Sequence, residues 1–277
     1  MSTWSFLFRM RGAPCPFARI ARHWMSLWAL AIASALPMVA SGALQDEIQV
    51  YDDEINEKGE YSLEVHFNTT PDGLTARSYP GQVINAGNTR LTPELAYGLG
   101  HDLEAGLYVN TVFNSGQWNY AGYKLRMKWL PILEKYGYDF FGGVNIELSN
   151  TLYQYEQSRY GVEARFILGK HIDEWLIALN PILAWPLSQP YADGNPNFSL
   201  SARVSREVTK ELALGVEYYS NVGVLNQPIN YQNTGQMGFL MAYWDGEPIA
   251  FQAGVGRGLS QSSDNWTIKA IFSIPLP

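Results

Sequence analysis

The sequence predicts an all-β fold, a transmembrane antiparallel up-and-down β-barrel of about 12 strands enclosing a polar lumen. Three observations point to it. From Glu60 onward, apolar and polar residues alternate at period two in segments of roughly ten residues, the length of a strand that crosses a bilayer. The breaks between segments alternate between tight turns and longer loops rich in Gly, Pro, Asn and Ser. Glycine is frequent on the charged parity. A face bathed in solvent has no need of small residues, whereas a crowded lumen does.

The N-terminus precedes this pattern. Arg9, Arg11, Arg19 and Arg22 lie ahead of the apolar run "WMSLWALAIASALPMVA", and the small residues of "ASGA" follow. That order is the signature of an export signal over residues 1–43, with cleavage near Gly42 or Ala43. Cys15 lies inside it, so the exported chain is expected to carry no thiol, disulfide or thiolate metal site. The signal holds four of the 19 basic residues and none of the 26 acidic ones. What remains has 15 basic against 26 acidic residues, a formal charge of −11, which speaks against nucleic acid as a partner. No phosphate loop, dinucleotide fingerprint or zinc spacing is found, and no cofactor is expected.

Residues 44–59 form an acidic lead-in, "QDEIQVYDDEINEKGE", with Asp46, Glu47, Asp52, Asp53, Glu54 and Glu57. Such a run reads as a solvated periplasmic segment. Binding of a cation or a periplasmic partner is the other reading, but the spacing and turn glycine of a calcium loop are missing.

Residues 60–277 read as a single barrel domain. "EYSLEVHFN" sets Tyr61, Leu63, Val65 and Phe67 against Glu64 and His66, and "LTPELAYGL" sets Leu95 and Tyr97 against Glu94 and Gly98. "LEAGLYVNTVF" follows the break "GHD" with Glu104 and Gly106 on its polar side. In "YKLRMKWL", Tyr123, Leu125, Met127 and Trp129 hold one parity and Lys124, Arg126 and Lys128 the other. On a helix, at about 100° per residue, each of those sets would scatter around the axis. "DFFGGVNIELSN" carries Glu147, and "YGVEARFILG" carries Glu163 and Arg165 opposite Tyr160 and Phe166. The second half continues with "WLIALNPILAWPL", "FSLSARVSREV", "LALGVEYYSN", "QMGFLMAYW", "IAFQAGVGRGL" and "WTIKAIFSIPL". Pro181 and Pro186 each remove a ladder donor, which marks a bulge or a strand end. "NSGQWN" is expected as one of the longer loops. Leu276-Pro277 departs from the C-terminal aromatic on which such barrels generally close.

Two sets of residues follow from the parity. Tyr61, Tyr97, Trp129, Tyr160, Trp175, Trp185, Tyr218, Tyr243 and Trp266 are expected to form a membrane-facing aromatic girdle in contact with outer-membrane lipid. Glu64, His66, Glu94, Glu104, Lys124, Arg126, Lys128, Glu147, Glu163, Arg165, Arg203, Glu217 and Lys269 are expected to line the lumen. The runs "IQVYDDEINEKGEYSLEVHFNTTPDG", "LTPELAYGL", "GYKLRMKWLP", "GVNIELS" and "VGRGL" resemble proteobacterial outer-membrane β-barrel proteins of poorly known role, some of them grouped with a phenol meta-degradation family. The resemblance implies fold and location, and transfers no functional residue.

A barrel of this size has a narrow lumen whose inward charges decide what passes. The ladder of Lys124, Arg126 and Lys128, with Arg165 and Arg203 on later strands, reads as a track for small anions such as aromatic or sugar carboxylates. The competing reading is an internal salt-bridge network, with Glu147 near Lys124 and Glu104 near Lys128. A non-conducting binding or structural barrel is a further alternative. So is an outer-membrane lipid enzyme, for which His66 beside Glu64 offers acid–base groups but no recognisable serine partner. One closed barrel requires no partner chain, and neither a catalytic residue nor a metal ligand is assigned.

Overall fold

The computed structural model describes residues 47–227 and 234–277. The export segment with Cys15, and Asp46 of the lead-in, lie outside the described residues. Twelve strands form one closed barrel. They are β1 Tyr61–Asp72, β2 Thr89–Gly100, β3 Leu103–Asn114, β4 Gln117–Ile132, β5 Phe141–Thr151 and β6 Tyr160–Ile172. β7 Trp175–Pro186, β8 Asn197–Glu207, β9 Leu212–Val224, β10 Gly235–Trp244, β11 Ala250–Gly258 and β12 Trp266–Leu276 complete the wall. Each strand pairs antiparallel with its sequence neighbours, and β12 closes on β1 from Tyr61↔Leu276 to Asp72↔Trp266. Closure gives every strand two partners, which a chain in lipid needs because hydrocarbon offers no hydrogen bond to a free edge.

Alternation settles sidedness on most strands. On β4, Leu125 is 46% exposed on the outside while Arg126 is 7% exposed within. The expected girdle residues Tyr61, Trp129, Tyr160, Trp175 and Trp266 stand exposed on the outer face, with Tyr97, Trp185 and Tyr218 partly covered. The connections at the end of the barrel where β1 begins are short. Those at the other end are longer. There are two exceptions: residues 133–140 between β4 and β5 make a longer connection, with one 3₁₀ turn, at the short-turn end, and at the other end β3 and β4 are joined by a tight turn through Ser115 and Gly116, both at positive φ. Gln117–Asn119, expected in a loop, therefore belong to β4 and pair with β3.

Pro181 sits inside β7, not at its end. Its pairing to β8 is continuous through Pro181↔Leu200, whereas pairing to β6 lapses between Arg165↔Ile182 and Leu168↔Leu179. The missing donor falls in that lapse. Pro186 is the last residue of the strand, where its lack of a donor costs little.

Tyr243 does not join the girdle. β10 carries large apolar residues on both parities, so alternation alone gives it no sidedness. Its register does. Phe239 lies directly opposite Glu217, and residues paired across an antiparallel ladder share a face. Phe239, Met241 and Tyr243 therefore point inward and are buried, while Leu240 is 73% exposed to the outside.

The inward glycines make room for bulky neighbours on the adjoining strand. Phe141 lies across Gly169 and Phe239 across Gly256, each ring filling the space opposite the missing side chain. A Cβ on Gly169 would stand 2.1 Å from the Phe141 ring and 2.6 Å from the Ile177 carbonyl oxygen. Gly169→Ala should therefore destabilise the barrel by about 1–3 kcal/mol through overpacking. Gly142→Ala, whose Cβ meets nothing nearer than 3.5 Å, should be close to neutral. Equilibrium urea unfolding of the two variants in lipid vesicles, each compared with the parent, checks the contrast.

Candidate functional site

The lumen holds a segment of the chain that is not part of the wall. Residues 47–57 run extended inside the barrel without joining its sheet. Glu47, Val50 and Tyr51 are 1, 2 and 6% exposed. This corrects the expectation of a solvated lead-in, and the physical reason lies in its composition. Ile48, Val50 and Tyr51 pack on an apolar stripe of the inner wall that includes Leu130, Phe141, Ile167 and Phe239. The acidic groups of the segment meet the inward cations of the wall.

Backbone groups taken out of water need partners, and inward side chains supply them. The Ile48 carbonyl accepts from Lys269 Nζ at 2.8 Å, and that of Gln49 accepts from Arg165 Nη1 at 3.1 Å. Asn180 brackets Tyr51, accepting from its N–H at 2.7 Å and donating to its carbonyl at 2.9 Å. Lys128 Nζ donates to the Glu54 carbonyl at 2.9 Å, and Asn56 N–H donates to Glu104 at 2.7 Å.

The charged residues expected in the lumen all lie on the inner face, and they form clusters. In the first, Lys124 Nζ bridges Glu47 at 3.0 Å and Glu147 at 3.2 Å, while Arg165 stands 3.7 Å from Glu47 and 3.1 Å from Glu163. In the second, Arg126 binds Glu94 and Glu104, the latter at 2.7 Å, and Lys128 reaches Glu104 at 3.1 Å. His66 Nε2 joins this cluster at 3.2 Å from Glu94 and 3.6 Å from Glu64. In the third, Glu217 is held by Lys269 and accepts from Tyr219 at 2.7 Å and Tyr243 at 2.9 Å. Arg203 binds Asp52 at 2.8 Å, with its guanidinium 3.6 Å from the Tyr243 ring centroid. That inward tyrosine thus carries both a hydrogen bond and a cation–π contact, neither of which a girdle position would give it.

Several residues that build the site were not singled out by the sequence. Tyr108 bonds the Tyr51 hydroxyl at 2.8 Å and lies 5.1 Å from Lys124 Nζ, measured to its ring centroid. Asn180 and Tyr219 are equally buried. Tyr108 shares the parity of Glu104 and Asn110, and Asn180 is the one amide in an otherwise apolar strand, so a faint signal existed for both.

Cavities remain at both ends. Two of about 710 and 360 Å³ flank the lead-in at the short-turn end, and one of about 150 Å³ lies under the long loops. Between them, Val50, Tyr51, Tyr108, Arg165, Asn180 and Lys269 fill the lumen, none more than 6% exposed.

Closed walls, an outward apolar band and an inward charge network define a transmembrane β-barrel. Solved outer-membrane proteins share this fold. An outer-membrane channel from Pseudomonas putida F1 aligns with a TM-score of 0.55 at 14% identity, over 83% of this chain and 100% of the channel. The KdgM porin, solved with disordered oligogalacturonate, gives 0.53 at 7% identity over 78 and 99% of the two chains. The NanC porin gives 0.51 at 6% over 78 and 99%. At these identities the likeness is one of fold. No family model and no curated protein matches the chain, so the resemblance to the phenol meta-degradation family is not carried further.

The Lys269–Glu217 pair offers a direct energetic test, because both side chains are fully enclosed. Lys269→Met leaves the buried Glu217 carboxylate without its counter-charge, held only by the Tyr219 and Tyr243 hydroxyls, and should cost about 3–5 kcal/mol. The double change Lys269→Met/Glu217→Met should recover only part of that loss, because it also takes partners from the Tyr219 and Tyr243 hydroxyls and the Ile48 carbonyl, as read from unfolding midpoints in the same vesicles.

Proposed function

We propose that the protein is an outer-membrane channel for small anionic solutes, with residues 47–57 lying in the solute path. The observation that carries this reading is the seating of Glu47 and Asp52. Two carboxylates from a segment outside the sheet are held by Lys124, Arg165 and Arg203 on the wall. A lumen that binds the carboxylates of its own chain has the groups to bind those of a solute, since rows of like charge set pore selectivity. The wall holds the backbone of this segment through wall side chains and not through ladder hydrogen bonds, which allows it to shift without breaking the barrel ladder. The shared fold with porins, one of them solved with an oligogalacturonate, supports the same reading.

The filled centre of the lumen favours a second reading, a barrel that holds its own segment and conducts nothing. Planar-bilayer recording of the refolded protein separates the two. The parent should give small or infrequent steps. Glu47→Gln/Asp52→Asn should raise conductance and favour anions, because it removes two negative charges from beside Lys124, Arg165 and Arg203, the first two of which keep Glu147 and Glu163. Lys124→Glu/Arg126→Glu should weaken or reverse the anion preference. If parent and Glu47→Gln/Asp52→Asn protein both fold yet stay silent, the channel reading is wrong.

A further inference from the structure

A cluster on β1 and β2 is arranged for a ligand that the channel reading does not use. Glu64 and Glu94 face each other directly across this antiparallel pair, and His66, two residues along, turns its Nε2 toward both. Like charges directly opposed on a ladder are destabilising. The histidine relieves only one of them. Its Nε2 lies 3.2 Å from Glu94 Oε2, within hydrogen-bond range, but 3.6 Å from Glu64 Oε2, which is beyond it. One N–H cannot serve two carboxylates, whereas one dication can.

We infer that Glu64, His66 and Glu94 form a binding site for a divalent first-row transition cation such as Zn²⁺. The three donor atoms lie within 4.8 Å of one another. Around a tetrahedral ion with bonds near 2.1 Å, neighbouring donors stand about 3.4 Å apart. The two distances from Nε2, 3.2 and 3.6 Å, straddle that value. Bringing the carboxylates closer to each other requires movement of Glu64, the least enclosed of the three at 19% side-chain exposure.

The two carboxylates have the outer contacts a metal site needs, while the second ring nitrogen of His66, Nδ1, is buried without a hydrogen-bond partner. In both carboxylates Oε2 faces the histidine, and Oε1 is held from behind, by Arg126 Nε in Glu94 and by the Ser273 hydroxyl at 3.3 Å in Glu64. Such outer contacts fix the orientation of ligating oxygens. His66 is fully buried, with its ring 5.9 Å from that of Tyr108. Glu64 borders the 710 Å³ cavity at the short-turn end, which provides a route for the ion and room for water at the fourth position. A mixed histidine and carboxylate set suits Zn²⁺, Mn²⁺ or Fe²⁺ over Ca²⁺, which takes six or more oxygens.

The test is calorimetric titration of Zn²⁺ into the folded full-length barrel in detergent, repeated with Co²⁺ while following its visible absorption. One saturable site with an intense tetrahedral Co²⁺ spectrum is expected. His66→Gln should abolish it, and Glu64→Gln, which keeps the side-chain shape, should weaken it by at least about tenfold. Ser273→Ala, which touches no ligand atom, should weaken it less. Absence of Zn²⁺ uptake by the parent overturns the inference and leaves His66 hydrogen-bonded to Glu94 alone. Uptake that survives unchanged in folded Glu64→Gln protein overturns it too, since the ion must then sit elsewhere. Neither readout depends on conductance, so a silent pore leaves the result intact.

Discussion

Closure of β12 on β1 is the constraint on which the rest of the structure depends. Lipid satisfies no backbone donor or acceptor, so a wall of strands must meet itself or leave an edge it cannot tolerate. Once the ring is closed, each strand has one face toward hydrocarbon and one toward a space of fixed width. Apolar side chains lose nothing outside. Charged ones have only the interior, and there they must find partners, because an unpaired charge out of water costs more than the barrel can offset.

The charge clusters follow from that confinement. Lys124, Arg126 and Lys128 project from one strand, too close together to be left uncompensated. Glu94 and Glu104 from β2 and β3 answer two of them, and Glu147 from β5 answers the third. The lead-in completes the set with Glu47 and Asp52, placed against cations on β4, β6 and β8. Its apolar residues cover the inward stripe that Phe141, Ile167 and Phe239 leave on the wall. The segment is therefore both the counter-ion and the packing partner of the lumen.

The cluster of Glu64, His66 and Glu94 is where this compensation is least complete. Arg126 and Lys128 pair with Glu94 and Glu104, the histidine also bonds Glu94, and Glu64 stands 3.6 Å from that histidine. That shortfall borders the largest cavity described.

Much of this was legible in the chain because period two is a local property. Tyr123 to Leu130 alone show a two-faced strand, and repeated segments of that kind, with alternating turn lengths, give the barrel, its strand number and the inward set from Glu64 to Lys269. The pattern failed where local order carried no sidedness. Tyr243 sits in a strand apolar on both parities, and only its register against Glu217 turns it inward. It failed again at the lead-in, whose acids read as a solvated run until partners far along the chain were in place. Ile48 meets Lys269, and Tyr51 meets Asn180, across 221 and 129 positions. Sequence by itself determined which residues could face lipid, because alternation follows from backbone geometry. Only the closed barrel decided which charges meet and what fills the lumen, because both depend on distances that close when the last strand joins the first.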